Sequence, residues 1–165
     1  MRIIYVHHAE RNIGPNHHDP ILKQEEDITE NGIKEAALVS EKFKGNPQNI
    51  KAIFSSTYRR CHHTAEILNQ YLNVPIIEEE RFNEMTSNEK WSVFLKRNMK
   101  AIDNIVKKYD KDDSIICITS GVNLSAFICY FYNIRPSEKT PWTQAFNMTP
   151  INFKVNKKPG NYDLD

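Results

Sequence analysis

A pair of histidines directly follows the first apolar run of the sequence. Residues 2–6 read Arg-Ile-Ile-Tyr-Val, and His7 and His8 come next. An imidazole at the end of a strand can act as a base, a metal ligand or a nucleophile. The alternative interpretation is a polar residue that simply ends the strand.

Two adjacent arginines follow a later apolar run in the same way. Arg59 and Arg60 come shortly after Ser55 and Ser56, where the pattern predicts the start of a helix. Helix amino termini attract anions, and a guanidinium group matches the geometry of a phosphate. Because adjacent residues on a helix point about 100° apart, we expect only one arginine to face such a site. Two solvated arginines are the alternative.

An acidic segment is the third candidate for chemistry. Residues 78–84 contain four glutamates, of which Glu84 is the last. A run of charges usually forms a solvated surface. One carboxylate at the mouth of an anion site could instead donate a proton to a leaving oxygen.

The apolar pattern predicts alternating strands and helices that would bring these segments together. Strands are predicted at 2–6, 51–55, 74–77, 114–119 and 150–155, and helices at 29–43, 58–72, 89–109 and about 122–132. This alternation favours an α/β domain, a three-layer αβα sandwich with a mostly parallel central sheet. Ligands bind such folds beyond the carboxyl ends of the strands, which selects His7-His8, Ser55-Ser56 and Ser120-Gly121.

Apolar positions at helical spacing identify the core faces that we expect on three helices. They are Ala36, Val39 and Phe43, then Ala65, Leu68 and Leu72, then Val93, Leu95, Met99, Ile102 and Val106. Thr29 is the expected cap of the first helix. The stretch from His8 to about Asp27 is predicted to be a long polar loop, and loops of that length are often functional.

Length and composition limit the class of protein. The 165 residues fit one domain, 1–165, with a polar tail from about residue 157. The formal net charge of +1 provides no broad field to attract nucleic acid or an anionic membrane. Three cysteines without metal-type spacing favour reduced thiols. We expect a cytoplasmic protein with no nucleic-acid or membrane partner; the sequence indicates no oligomeric state.

The candidate segments together resemble the histidine phosphatase superfamily, also called phosphoglycerate mutase-like, over nearly the whole chain. Residues 7–10 are similar to its Arg-His-Ala-Glu segment, and residues 29–36 to its Leu-Thr-x-x-Gly helix start. Residues 55–65 are similar to Ser-Ser-Pro-Leu-x-Arg-Ala-x-x-Thr-Ala, and residues 81–84 to Arg-Leu-x-Glu. The resemblance implies a nucleophile at His8, a phosphate-binding arginine at Arg60 and a proton donor at Glu84.

Two positions depart from the family pattern. His7 stands where the family has arginine, and Ser120 stands where it has a second pocket histidine. Both missing groups normally donate to the phosphate, and each charge-assisted hydrogen bond contributes about 1.5–3 kcal/mol. His7 and the hydroxyl of Ser120 could still donate to a phosphate, His7 more strongly if protonated. The site could therefore belong to a slow enzyme or to none.

The resemblance implies hydrolysis of phosphate monoesters. His8 would attack phosphorus in line, and Arg60 with Arg11 would neutralise the phosphoryl oxygens. Glu84 would protonate the leaving oxygen and then activate water. The scheme requires no metal or cofactor, and its substrate would be a small phosphorylated metabolite or a phosphoprotein. Mutase activity is disfavoured because no large inserted cap is present to exclude water.

Two other functions remain open. All six histidines form adjacent pairs, and with Glu10 and Asp19 they could bind zinc, although adjacent side chains point apart. A pseudophosphatase that binds a phosphorylated ligand or a protein partner is favoured by His7 and Ser120. The intact His8, Arg60 and Glu84 argue against that reading. Candidate pocket-lining residues are Tyr5, Phe82, Trp91, Trp142, Phe146 and Asn147.

Overall fold

The computed structural model describes residues 1–15 and 18–155 of the chain. The strands within them are β1 (Arg2–His7), β2 (Ile50–Ser55), β3 (Ile76–Glu78), β4 (Ser114–Thr119) and β5 (Ile151–Lys154). The helices are α1 (Pro20–Glu25), α2 (Glu30–Ser40), α3 (Arg59–Asn69), α4 (Trp91–Lys108) and α5 (Leu124–Phe131). Short 3-10 turns lie at Glu41–Phe43, Glu80–Phe82 and Gly121–Asn123.

The five strands form one sheet in the order β3-β2-β4-β1-β5. Strands β1 to β4 run parallel, and β5 is antiparallel at the edge beside β1. His7 pairs with Thr119, and Ser55 pairs with Ile118. The segments that follow β1, β2 and β4 therefore emerge at the same edge of the sheet, as the sequence predicts.

Each face of the sheet carries its own apolar core, because side chains alternate along a strand. Ile3 and Tyr5 of β1 pack with α4 and α5, whereas Ile4 and Val6 pack with α2 and α3. Strand β4 is buried at every position because helices cover it on both sides. The predicted three-layer αβα sandwich with a mostly parallel sheet is confirmed.

The predicted long loop from His8 to Asp27 is wrong in one respect, because it contains helix α1. Asp19 caps this helix by accepting hydrogen bonds from two N–H groups of its first turn. Pro20 starts the helix rather than interrupting it, since a first turn leaves its N–H groups unpaired anyway. An antiparallel bridge between Arg11 and Ile28 closes the segment at its base.

Two further sequence expectations are corrected by the structure. Val93 was expected in the core but is 50% exposed, because it lies two residues before the buried Leu95 and so points about 200° away from it. The helix expected at about 122–132 begins as a 3-10 turn at Gly121 and becomes α-helical at Leu124. Apart from Val106, which is only partly buried, the other expected core positions are buried.

The polar tail predicted from about residue 157 lies outside the described residues. None of the described helices has the length and apolar character needed to cross a membrane.

Helix α2 holds the segment after β1 through a close backbone contact. Thr29 caps the helix by accepting a hydrogen bond from the Gly32 N–H at 2.9 Å. The Thr29 N–H donates to the carbonyl oxygen of Glu10, also at 2.9 Å. A Cβ atom on Gly32 would overlap that same carbonyl oxygen. Glycine at position 32 thus lets α2 approach the chain beside the candidate site.

Gly32→Ala is expected to lower the free energy of unfolding by about 1–3 kcal/mol, because the added methyl must displace backbone atoms. The matched control is Gly14→Ala, whose Cβ would meet nothing within 4 Å. Thermal unfolding of both variants beside the wild type checks this prediction. Equal melting temperatures for the two variants would show that the contact at Gly32 is not a constraint.

Candidate active site

A cavity of about 510 Å³ opens beyond the carboxyl ends of β1 and β4. It is lined by His7, His8, Glu10, Arg11, Ile13, Glu84, Met85, Thr86, Ser87, Ser120, Gly121, Val122, Trp142, Gln144 and Asn147. Five of the six residues that the sequence selects for the site line this cavity. The sixth, Arg60, is fully buried and lies behind His8.

His8 is buried and fixed from several directions. Its backbone N–H donates to the carbonyl of Thr119 at 3.0 Å, and its carbonyl accepts from the Asn147 amide at 2.6 Å. Its Nδ1 lies 2.7 Å from the carbonyl oxygen of Ala9. Because a carbonyl only accepts, Nδ1 must carry the proton, and Nε2 is left with a lone pair.

The protonation state of His8 suits a nucleophile. Burial, together with the neighbouring His7 and Arg60, holds the pKa of the His8 imidazole well below its ordinary value. The ring of His7 stands edge-on to it, with ring centroids 4.4 Å apart. At neutral pH the His8 ring is therefore neutral, and Nε2 can attack an electrophile without first losing a proton.

Arg60 contacts His8 but has no free nitrogen in its guanidinium group. Its Nε donates to Nε2 of His8 at 3.1 Å. Its Nη1 donates to the carbonyl of Lys23, and its Nη2 to Oε2 of Glu84, both at 2.8 Å. Arg59 instead pairs with Asp27 on the surface. Of the two arginines, only Arg60 contacts His8. Its hydrogen bonds to His8, Lys23 and Glu84 use three of its five N–H groups, and Nη1 and Nη2 each carry a second one.

Glu84 lies between two cations at the wall of the cavity. Oε2 accepts from Arg60, and Oε1 lies 3.0 Å from the ammonium of Lys23. Lys23 comes from helix α1, which the sequence analysis did not predict. The candidate proton donor is thus held by the helix that crosses this part of the site.

The other arginine of the site, Arg11, is paired with a second carboxylate. Glu26 forms an ion pair with Arg11 and also accepts from the N–H of Gly14 at 3.3 Å. Its Oε2 lies 4.0 Å from Nη1 of Arg60. The only sequence signal for Lys23 and Glu26 is the dense charge beside a candidate anion site, because no motif contains them.

His7 lies at the cavity wall, and its imidazole is neutral at neutral pH. Its Nδ1 lies 2.9 Å from the carbonyl oxygen of Ala145 and must donate to it. Burial lowers the pKa of His7 to about 4, and the hydrogen bond to Ala145 acts in the opposite direction. At neutral pH its Nε2 is an acceptor. With the ring neutral and Nδ1 bonded to Ala145, Nε2 of His7 has no proton to donate and can accept a hydrogen bond.

Ser120 provides a donor at the same wall. It is only 4% exposed, and its hydroxyl oxygen has no hydrogen-bond partner among the described residues. The backbone around it is fixed, since the Tyr5 hydroxyl donates to the carbonyls of Ser120 and Gly121 at 2.8 and 3.0 Å. A buried hydroxyl without a partner is costly, so this geometry fits a group that awaits a ligand.

Two residues that no motif marks position the segment that carries Glu84. The Asn83 side chain accepts from the hydroxyl groups of Ser56 and Thr57 at 2.7 and 3.0 Å, and so joins the segment to the start of α3. Arg97 of α4 donates to the carbonyls of Arg81 and Asn83 at 2.5 and 2.9 Å. These bonds fix the backbone on both sides of the turn before Glu84.

The first and third histidine pairs, which the structure describes in full, do not converge. His62 lies near the carboxylates of Glu66 and Glu78, whereas His63 pairs with Asp27, so the two rings point apart. His17 lies outside the described residues. Among the described residues, no group of three or more His, Cys, Asp or Glu side chains is arranged to hold a metal ion.

The expected aromatic lining is reduced to one residue. Tyr5 and Phe82 are buried in the core, and Phe146 is exposed away from the cavity. Trp142 lines the cavity and stacks on Trp91, with ring centroids 6.1 Å apart. Asn147 also reaches the cavity, as the sequence suggested.

Comparison with known proteins gives a consistent match to one family. The model of the histidine phosphatase superfamily (branch 1) matches residues 8–91. This range includes His8, Arg60 and Glu84. A search of curated protein sequences finds no match.

Solved structures share the fold at low sequence identity. A candidate alpha-ribazole-5'-P phosphatase from Escherichia coli has a TM-score of 0.77 and 16% identity, over 96% of this chain and 92% of that chain. YhfR from Bacillus stearothermophilus has a TM-score of 0.70 and 17% identity, over 98% and 93% of the two chains. Phosphoserine phosphatase from Entamoeba histolytica has a TM-score of 0.69 and 17% identity, over 92% and 89%. At these identities the matches establish the shared fold.

Proposed function

Because this chain belongs to the histidine phosphatase superfamily (branch 1), we propose that it hydrolyses phosphate monoesters through a phosphohistidine at Nε2 of His8. The observation that carries the proposal is the state of His8. Its Nδ1 proton is held by the carbonyl of Ala9, and its ring is neutral at the wall of a cavity. This combination leaves a lone pair on Nε2, which in-line attack on phosphorus requires.

In the first chemical step, Nε2 of His8 loses its hydrogen bond from Arg60 and bonds to phosphorus. The Arg60 Nε–H that now points at Nε2 moves to a phosphoryl oxygen, which frees the lone pair. Nε2 forms the N–P bond as the P–O bond of the ester breaks, and the electron pair of that bond goes to the leaving oxygen. Arg11 can join Arg60 on the phosphoryl oxygens when it leaves Glu26.

Glu84 is the group placed to carry the proton. A substrate phosphate competes with it for Lys23 and Arg60. The freed carboxylate takes up a proton from solvent water and then transfers that proton to the leaving oxygen. In the second step Glu84 takes a proton from water, the water oxygen bonds to phosphorus, and the N–P electron pair returns to His8.

The size of the cavity favours a small phosphorylated group as substrate. About 510 Å³ lies at the lower end of ordinary ligand sites. Similar structures include phosphoserine phosphatase from Entamoeba histolytica and the protein histidine phosphatase SixA. A small phosphorylated metabolite or a phosphorylated side chain of a protein fits this range.

The second candidate function is that of a pseudophosphatase. The hydrogen bonds that Arg60 already makes within the protein favour it. All three of its guanidinium nitrogens already have acceptors, and the group is fully buried. In that case the cavity would bind a phosphorylated ligand or protein partner without turnover.

Hydrolysis of an aryl phosphate, with and without chelator, distinguishes the two candidates. We expect turnover that survives the chelator and a phosphoenzyme that can be trapped by rapid quenching. The trapped group should be labile in acid and stable in alkali, as a phosphoramidate is. Phosphate or vanadate binding without turnover or trapped phosphoenzyme would support the pseudophosphatase.

A further inference from the structure

We propose that the cavity selects the singly protonated form of a phosphate group, with His7 accepting its P–O–H hydrogen bond and Ser120 donating to another phosphoryl oxygen. This inference rests on the proposed function and specifies which ionic form of the substrate the same site binds.

The orientation of His7 fixes the kind of group that it can meet. Its Nδ1 is committed to the carbonyl of Ala145, so Nε2 is the nitrogen that remains for a ligand in the cavity. An imidazole lone pair attracts a hydroxyl hydrogen and repels an unprotonated phosphoryl oxygen. The monoanion of a phosphate ester carries one P–O–H group, and the dianion carries none.

The hydrogen bond to Ala145 sets the orientation of the His7 ring, which packs closely against Gly121. A Cβ atom on Gly121 would lie 3.0 Å from Cε1 of His7 and 3.1 Å from the carbonyl oxygen of Ala145. Only a glycine leaves room for this arrangement. Because burial lowers the pKa of His7 to about 4, the ring stays an acceptor throughout the neutral range.

The charged groups around His7 are two cations and one carboxylate. Arg60, Glu84 and Arg11 act on it most strongly, in that order, and the ring of His8, the next residue in the chain, stands edge-on to it. The neighbouring segment at Gln144 and Ala145 and the turn at Gly121 contribute no charge.

The charged side chains at the site sum to zero, although Glu10 bonds to Thr29 and Asn31 rather than to a cation. The three cations are Arg11, Lys23 and Arg60, and the three carboxylates are Glu10, Glu26 and Glu84. A neutral set of charges gives a dianion little of the Coulombic gain that an arginine at position 7 would add.

Ser120 supplies the complementary donor. Ser120 lines the same cavity as His7, and its buried hydroxyl has no partner among the described residues. One acceptor and one neutral donor match a monoanion, whereas a dianion would offer no hydrogen to His7.

The test measures binding of two aryl phosphonates, one with a CH₂ and one with a CF₂ group next to phosphorus. The fluorines lower the second pKa of the phosphonate, and neither compound can be hydrolysed. Calorimetric titration of the wild type is carried out from about pH 5 to pH 8.5, a range that brackets phosphate second pKa values near 6. We expect affinity to fall about tenfold per pH unit above the second pKa of each ligand. The CF₂ compound should begin to weaken at lower pH.

Two variants extend the test. His7→Arg should reverse the trend, so that affinity rises as each ligand becomes a dianion. His62→Arg adds the same charge outside the cavity and should leave the wild-type trend unchanged. Ser120→Ala should weaken both ligands about threefold to tenfold at every pH.

Several outcomes would overturn the inference. Affinity that is flat or tightens with pH in the wild type, with turnover of an aryl phosphate intact, would refute selection of the monoanion and leave the proposed function standing. A midpoint that is the same for both ligands would assign the titration to the protein rather than to the phosphate. Failure of both ligands to bind at any pH would count against the proposed function as well.

Discussion

His8→Ala is expected to lower kcat for an aryl phosphate by at least about 10³-fold, because the variant has no atom that can form the N–P bond. The side chain is buried at the cavity wall, and its Nε2 is unprotonated at neutral pH. Steady-state hydrolysis measured beside the wild type checks the prediction, together with the loss of any trapped phosphoenzyme.

Stability must be measured in the same variant. Removing the imidazole leaves the Nε–H of the buried Arg60 without its partner, at a cost of about 1–3 kcal/mol. His8→Asn is the companion variant, since its amide can retain a hydrogen bond without supplying a nucleophile. His62→Ala, at a partly exposed histidine outside the cavity, should keep full activity. Activity of a folded His8→Ala protein within tenfold of the wild type would exclude His8 as the nucleophile.

The sequence predicted the location of the site because that location follows from the topology. Parallel strands that alternate with helices must place the segments after β1, β2 and β4 at one sheet edge. His8, Glu84 and Ser120 meet at one cavity there, and Arg60 lies against His8.

The state of the site could not be predicted, because it depends on contacts distant in sequence. The tautomer of His7 is set by the carbonyl of Ala145, 138 residues away. Arg60 donates to the carbonyl of Lys23, and Arg11 pairs with Glu26. Both partners are brought to the site by helix α1 and the residue that ends it, within the expected loop. A charged residue in a polar segment gives no sign of whether it faces solvent or an arginine.

These contacts change what the two departures from the family pattern, His7 and Ser120, imply for phosphate binding. Loss of an arginine at position 7 and of a histidine at position 120 removes two donors. The structure adds an acceptor at His7 and keeps a donor at Ser120. The pocket therefore differs in kind from one that has only lost charge, because its hydrogen-bonding pattern is complementary to a different ionic form of phosphate.

The double variant His7→Arg with Ser120→His tests whether the missing donors limit catalysis. It is expected to raise kcat/KM for an aryl phosphate above pH 7 by about 10- to 10³-fold. Two cationic or strongly polar donors would then face the phosphoryl oxygens, where single electrostatic stabilisers contribute about 10²–10³ in rate. Both positions line the 510 Å³ cavity, so the larger side chains have space to extend.

Rates of the wild type, both single variants and the double variant across pH, with melting temperatures, separate the possible causes. Gain of activity with an optimum displaced to higher pH would show that dianion binding had been the missing step. An unchanged or lower rate in a double variant that folds normally would contradict a simple loss of donors. Since the new donors would then be present without effect, the pairing of Arg60 and Glu84 with Lys23 and Glu26 would be the remaining barrier to turnover.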